Sequence, residues 1–159
     1  MVLIRHATLL AAAIVLAVAA SPAPWAAETH SHDDHAGGVT LTLNHGAKWQ
    51  VDEIVKSGMT EIRAVMQASL PKIHDNDFST GDYEALAVNV QGQLDHVVAN
   101  CKLEPAVDEQ FHVVLEQVME GVAIMEKDGD RHQGAVVIVN ALKAYATHFE
   151  HPGWQPLVL

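Results

Sequence analysis

The sequence predicts an all-α fold, an up-down-up-down four-helix bundle. Apolar residues recur at spacings of three and four along four segments of about 20 residues, which is typical of helices that face a core. Short segments rich in capping and turn-forming residues separate these four segments. No set of strands that could build a sheet core is visible in the sequence. Long helices joined by short connections usually lie antiparallel to their neighbours, which predicts the up-down-up-down bundle.

Residues 1–27 are typical of a secretory signal peptide. Arg5 precedes an apolar run over residues 7–20, and mostly small residues follow up to Ala27. The run is too short to span a bilayer comfortably. We therefore expect an exported protein, periplasmic or secreted, that has no membrane segment after cleavage.

Residues 28–46 are predicted to form a flexible arm, and residues 47–159 the bundle. The arm is polar and has too little apolar surface to offset the entropy lost on ordering. Its histidines include His30, His32 and His35. Val39, Leu41 and Leu43 alternate with polar residues, which predicts a short extended piece lying on the bundle.

Charge and cysteine content exclude several classes of function. The chain of 159 residues has 9 Lys and Arg against 20 Asp and Glu, a formal net charge of −11. Binding to nucleic acid or to anionic lipid requires the opposite balance. One cysteine cannot form an internal disulfide, so Cys101 is a buried small residue, a metal ligand or an intermolecular bridge that would give a homodimer.

The first two helices are predicted from their caps and their apolar stripes. Asp52 and Glu53 open the first helix, and Pro71 is expected to end it. Ser79 or Thr80 is expected to cap the second helix. The first stripe consists of Val55, Met59, Ile62 and Met66, and the second of Tyr83, Val90, Leu94, Val97 and Cys101.

The third and fourth helices follow the same pattern. Pro105 suits the first turn of the third helix, because its missing N–H has no partner there in any case. Residues 128–130 separate the two helices, and Pro152 with Gly153 is expected to end the fourth. The third stripe consists of Phe111, Val114 or Leu115, Val118, Val122 and Met125, and the fourth of Ile138, Leu142, Tyr145 and Phe149.

Antiparallel threading brings most histidines of the predicted helices to one pole of the bundle. That pole is expected to contain His45, Trp49, His96, Cys101, His112, His148, His151 and Trp154, whereas His74 and His132 fall at the opposite pole. Imidazole and thiolate are ligands that late first-row metals accept, and bundle sites are built from facing helices. The sequence therefore predicts a copper or zinc site at this pole.

Cys101 and His112 flank one tight turn, so this pair is the one most expected to meet. A cationic histidine at a helix C-terminus is favoured by the helix dipole, which accounts for His148 and His151 without a metal. The predicted metal ligands are Cys101, His112, His148, His151, His45, His96 and His30. His30 is predicted as a metal ligand for a separate reason. If cleavage follows Ala27, a free amine with histidine third can bind copper(II) or nickel(II) in square-planar geometry.

Met59 on the inward stripe of the first helix and His148 near the end of the fourth suggest a second cofactor. Over roughly Trp49 to His151 the predicted architecture resembles the cytochrome b562 and cytochrome c′ class of exported four-helix bundles, and Met59 and His148 are the matching positions. The resemblance implies haem b held non-covalently by Met59 and His148. No CxxCH motif exists, so covalent attachment is not expected.

Three functions follow from these observations. The first is an exported bundle that binds a transition-metal ion, copper or zinc, for carriage, buffering or sensing. The alternative is a b-type haem protein that transfers electrons, and the third is a cofactor-free module that binds a partner through its acidic surface. An enzyme is not predicted, because no nucleophile with a base at a recognisable spacing is present.

Overall fold

The computed structural model describes residues 40–158, which form four helices and one pair of very short strands. In chain order these are β1 (Trp49–Gln50), α1 (Glu53–His74), α2 (Thr80–Asn100), α3 (Pro105–Glu126), α4 (Arg131–His148) and β2 (Phe149–Glu150). The predicted all-α four-helix bundle is confirmed. The predicted signal peptide and the predicted arm as far as residue 39 lie outside the described residues.

The helix starts follow the capping residues expected from the sequence. Oδ1 of Asp52 accepts the backbone N–H of Val55 at 2.8 Å and caps α1. Ser79 and Asp82 form a reciprocal capping box at the start of α2. Pro105 occupies the first position of α3.

Two helix ends differ from expectation. The prediction that Pro71 ends α1 is wrong, because the helix continues to His74. Pro71 lacks the N–H that would bond the carbonyl of Gln67, but the extra turn buries Ile73, which is 4% exposed, and this burial offsets the lost hydrogen bond. The fourth helix ends at His148, before Pro152, because Phe149 and Glu150 instead pair in parallel with β1.

The four predicted apolar stripes form one continuous core. The buried residues include Val55, Met59, Ile62, Met66, Val90, Leu94, Val97, Phe111, Val118, Val122, Met125, Ile138, Leu142, Tyr145 and Phe149. Of the neighbouring helix pairs, α3 and α4 contact most extensively, and α1 and α4 least. Within residues 40–158, no helix is both long enough and apolar enough to cross a membrane.

Residues 40–43 and 155–158 are tied to the bundle by hydrogen bonds to helix side chains. The N–H of Thr42 donates to Oε1 of Gln110 at 2.7 Å, and Leu41 packs partly against the core. At the other end, Arg63 Nε donates to the carbonyl of Gln155 at 2.5 Å. The chain therefore runs over the bundle surface at both of these segments.

Gly121 and Gly134 allow the close packing of α3 against α4. A Cβ built on Gly134 would lie 2.5 Å from the carbonyl oxygen of Gly121, and one built on Gly121 would lie 2.7 Å from the carbonyl oxygen of Gly134. Both neighbours are backbone atoms, so neither can move aside without separating the helices.

Gly134→Ala should therefore lower the free energy of unfolding by about 2 kcal/mol or more, since the added methyl forces the two backbones apart. Gly92→Ala is the matched control: Gly92 lies within α2 and a Cβ there meets nothing within 4 Å. That change should raise stability by about 0.5–1 kcal/mol. Urea unfolding of both variants tests this, and equal effects of the two substitutions would contradict it.

Candidate functional site

The pole that contains the predicted ligands is held together by contacts between distant parts of the chain. The N–H of Lys102, just after α2, donates to Oδ2 of Asp52 at the start of α1, at 2.6 Å. Strands β1 and β2 join the entry to α1 with the exit from α4. Four residues separate the end of α2 from the start of α3 in the chain. All four helices therefore meet at this pole, as antiparallel threading predicts.

Cys101 is half-buried at the end of α2. Burial raises the pKa of its thiol, and the negative charges of Asp52 and Asp108 raise it further, because all three disfavour the thiolate. The thiol is therefore protonated at neutral pH and is not an activated nucleophile. A metal ion that replaced this proton would instead be attracted by the two carboxylates.

His112 lies one turn after Asp108 on α3. Its Nδ1 is 2.8 Å from the Asp108 carbonyl oxygen and 3.5 Å from Oδ2 of the same residue. Because a carbonyl only accepts, Nδ1 carries a proton, and in the neutral form of the ring the lone pair is on Nε2. That Nε2 makes no hydrogen bond within residues 40–158. Metal-binding histidines commonly have their other nitrogen fixed in this way.

His148 has the same local geometry at the end of α4. Its Nδ1 is 2.8 Å from the carbonyl oxygen of Ala144, so Nδ1 again carries the proton and Nε2 keeps the lone pair. The side chain is half-buried. The hydrogen bond is local to α4, and it explains the orientation of this ring without a metal.

His151 lies in a turn after β2, and both of its ring nitrogens have partners. Nδ1 is 3.0 Å from the hydroxyl of Tyr145, and Nε2 is 3.3 Å from Oγ1 of Thr60, which itself donates to the carbonyl of Lys56. Since Thr60 has only one proton, Nε2–H must donate to it, and Nδ1 must accept from Tyr145. The protons are therefore ordered along one chain of hydrogen bonds.

An aromatic cluster surrounds this hydrogen-bond chain. Tyr145 is fully buried, stacks on Phe149 at a centroid distance of 5.3 Å and lies 5.1 Å from the ring of Trp154. The pKa of His151 is lowered, chiefly by burial, which keeps the imidazole neutral. A metal ion at His151 would first have to displace one of its two hydrogen-bond partners.

The two remaining predicted ligands of the described region are exposed. His45 lies in the turn that joins Asn44 to Ala47, with φ of 52°. His96 is on α2, where Nδ1 is 3.4 Å from Nδ2 of Asn100. Among the described residues, no three His, Cys, Asp or Glu side chains lie close enough together to hold a metal ion. The full ligand set predicted from sequence is thus not assembled in this part of the chain.

The residues predicted for haem lie in different environments. Met59 is fully buried in the bundle core, and His148 is half-buried at the end of α4. A cavity of about 550 Å³ lies between α1 and α4, and neither residue lines it. The haem alternative stays a prediction, as does the cofactor-free partner module. His30 lies outside the described residues.

No protein-family model, curated protein or solved structure matches the chain. The residues that matter at this pole are therefore assigned from geometry alone.

Sequence reasoning missed three contributors to the pole. Asp108 stands four residues before His112, a spacing that places both on one face of a helix, so this signal was available. Asp52 was recognised as a helix start, but its second bond, to Lys102, joins residues 50 apart in sequence. Thr60 meets His151 across 91 residues, and nothing local indicates that contact.

His151→Phe should destabilise the fold by about 1–3 kcal/mol near pH 8, because the buried hydroxyl of Tyr145 loses its partner. The pKa of His151 is lowered in the fold, so its contribution is complete above the unfolded value of about 6.5 and is lost as the pH falls below it. The stability difference between wild type and variant should therefore shrink toward pH 5, as measured by thermal unfolding.

The double variant Tyr145→Phe with His151→Phe removes both partners and should cost less than the two single variants added together. Additive costs would show that the hydrogen bond to Tyr145 contributes nothing. A stability difference between wild type and His151→Phe that does not change with pH would contradict the lowered pKa of His151.

Proposed function

We propose that the protein binds a transition-metal ion, copper or zinc, through two donors at this pole, Cys101 and His112, with the carboxylate of Asp108 beside His112; these three residues are called here the Cys101 corner. The observation that carries the proposal is the position of Asp108. Its carboxylate lies 3.5 Å from Nδ1 of His112, and its charge acts on the thiol of Cys101. The charge of one acidic side chain thus acts on both of the soft donors that the sequence singles out.

The donor types favour these metals. A thiolate and an imidazole suit copper and zinc better than magnesium or calcium, which prefer oxygen. The two nearby carboxylates, from Asp52 and Asp108, would offset the charge of the cation. Since His112 keeps its lone pair on Nε2 and its side chain is 57% exposed, the ring is able to turn toward an ion beside Cys101.

The proposed role is reversible carriage or buffering of the ion. Structural zinc sites are closed by four protein ligands, whereas sites with fewer leave positions for water or for an exchanging ligand. The Cys101 corner has too few donors in place to enclose an ion, which favours exchange. Export, predicted from residues 1–27, would place this activity outside the cytoplasm and is part of the proposal.

The test uses the chain with His30, His32 and His35 changed to Ala, so that the arm does not contribute sites of its own. Zn²⁺, and Cu⁺ under anaerobic conditions, are titrated in competition with a chromophoric chelator. One ion should bind per chain, and Cys101→Ser and His112→Ala should each lower the affinity at least tenfold.

His96→Ala is the matched control, because this histidine is exposed near the end of α2 but lies outside the Cys101 corner. It should leave the affinity unchanged. Circular dichroism establishes that the variants are folded. An affinity that is the same in Cys101→Ser, His112→Ala and the parent chain would overturn the proposal.

The affinity for Zn²⁺ should rise with pH by about tenfold per unit between about pH 7 and 8.5, because the ion displaces the thiol proton. The raised pKa of Cys101 keeps that proton in place throughout this range. Cys101→Ser should show a clearly shallower slope in the same competition assay. Equal slopes for the two proteins would mean that the thiol is not a ligand.

A further inference from the structure

The cavity between α1 and α4 lies toward the pole opposite the Cys101 corner. Its volume is about 550 Å³, within the range of about 300–1,000 Å³ that is usual for small-molecule sites. The floor is apolar and is formed by Leu70 and Ile73 of α1 and by Ala135, Val136 and Val139 of α4. These side chains offer a hydrocarbon surface and no hydrogen-bonding groups.

The cavity exists because α1 and α4 contact least among the neighbouring helices. Val158 adds a wall on one side. Its position is fixed by Gln67, whose Nε2 donates to the Val158 carbonyl at 3.1 Å while its Oε1 accepts the Val158 N–H at 2.8 Å. The wall is therefore held by a paired hydrogen bond to a residue that itself lines the cavity.

The rim differs in charge from the rest of the molecule. Lys143, His74 and His132 line it together with a single acidic residue, Asp75, although the whole chain has a net charge of −11. The ammonium group of Lys143 makes no ion pair within residues 40–158. An unpaired cation beside an apolar floor is complementary to an anionic head group that carries a hydrocarbon chain.

We propose that this cavity binds a single-chain amphiphilic carboxylate, a medium-chain fatty acid, with the hydrocarbon on the apolar floor and the carboxylate at Lys143. The inference does not depend on the proposed metal site, because the two sets of residues do not overlap. A nucleotide or sugar is disfavoured, since the floor has no groups to pair with a polyhydroxylated ligand.

Calorimetric titration of the full chain with octanoate and decanoate, below their micelle concentrations, tests the proposal. One molecule should bind per chain. Decanoate should bind more tightly than octanoate, because each added methylene that becomes buried raises the affinity up to about fourfold. Decanol, which lacks the charge, should bind more weakly than decanoate.

Three exposed positions supply the variants. Asn140→Trp places a large ring over the cavity and should reduce decanoate binding at least tenfold. Lys143→Gln should reduce it by about twofold to fivefold, as expected for an exposed ion pair. Lys127→Gln is the matched control, because this lysine is exposed after α3 and does not line the cavity. It should leave the affinity unchanged.

Absence of decanoate binding, or binding that Asn140→Trp leaves intact, would overturn the proposed site. Equal affinities for decanol and decanoate, together with no effect of Lys143→Gln, would overturn the proposed ligand class. Concentration-dependent dimerisation that Asn140→Trp abolishes would instead assign the cavity to an interface between two copies of the chain. Thermal unfolding of each variant verifies that the fold is retained.

Discussion

One carboxylate, that of Asp52, joins the helices at the pole that contains Cys101 and His112. Oδ1 caps α1 through Val55, and Oδ2 accepts the N–H of Lys102 beyond α2, so a single rigid group sets the start of one helix against the end of the next. Burial raises the pKa of the Cys101 thiol and of the Tyr145 hydroxyl, and the charge of Asp52 raises both further. Asp52 therefore contributes both to the geometry and to the electrostatics of this pole, and both would change if this side chain were neutral or absent.

Three histidines of the pole, His112, His148 and His151, fall into two groups because their hydrogen bonds have different ranges. His112 and His148 each donate Nδ1–H to a carbonyl one turn earlier in their own helix, which keeps the lone pair on Nε2. His151 bonds to Tyr145 and to the distant Thr60, and it helps to hold the aromatic cluster together. His112 and His148 thus keep a ring nitrogen whose lone pair could bind a metal, whereas His151 uses both ring nitrogens for hydrogen bonds that stabilise the fold.

Much of the fold could be predicted from the sequence, because helix identity depends on local periodicity and capping. The inward positions of Met59, Phe111 and Tyr145 followed from spacing alone. Which of the polar side chains at the pole meet could not be predicted, since rotamers and contacts such as that of Thr60 with His151 depend on the packed structure. The cavity was missed for a related reason, because it arises from unequal distances between helices that have similar stripes.

Because Gly121 packs closely against Gly134, the helix pairs of the bundle are not held together equally tightly. The interface between α3 and α4 is extensive, whereas the interface between α1 and α4 has few contacts. Partial opening of the native state should begin at the interface between α1 and α4. Backbone amides of α1 that face α4 would then exchange with solvent deuterium through a lower-energy opening than those at the centre of α3. The cavity between α1 and α4 would lie where the fold first separates.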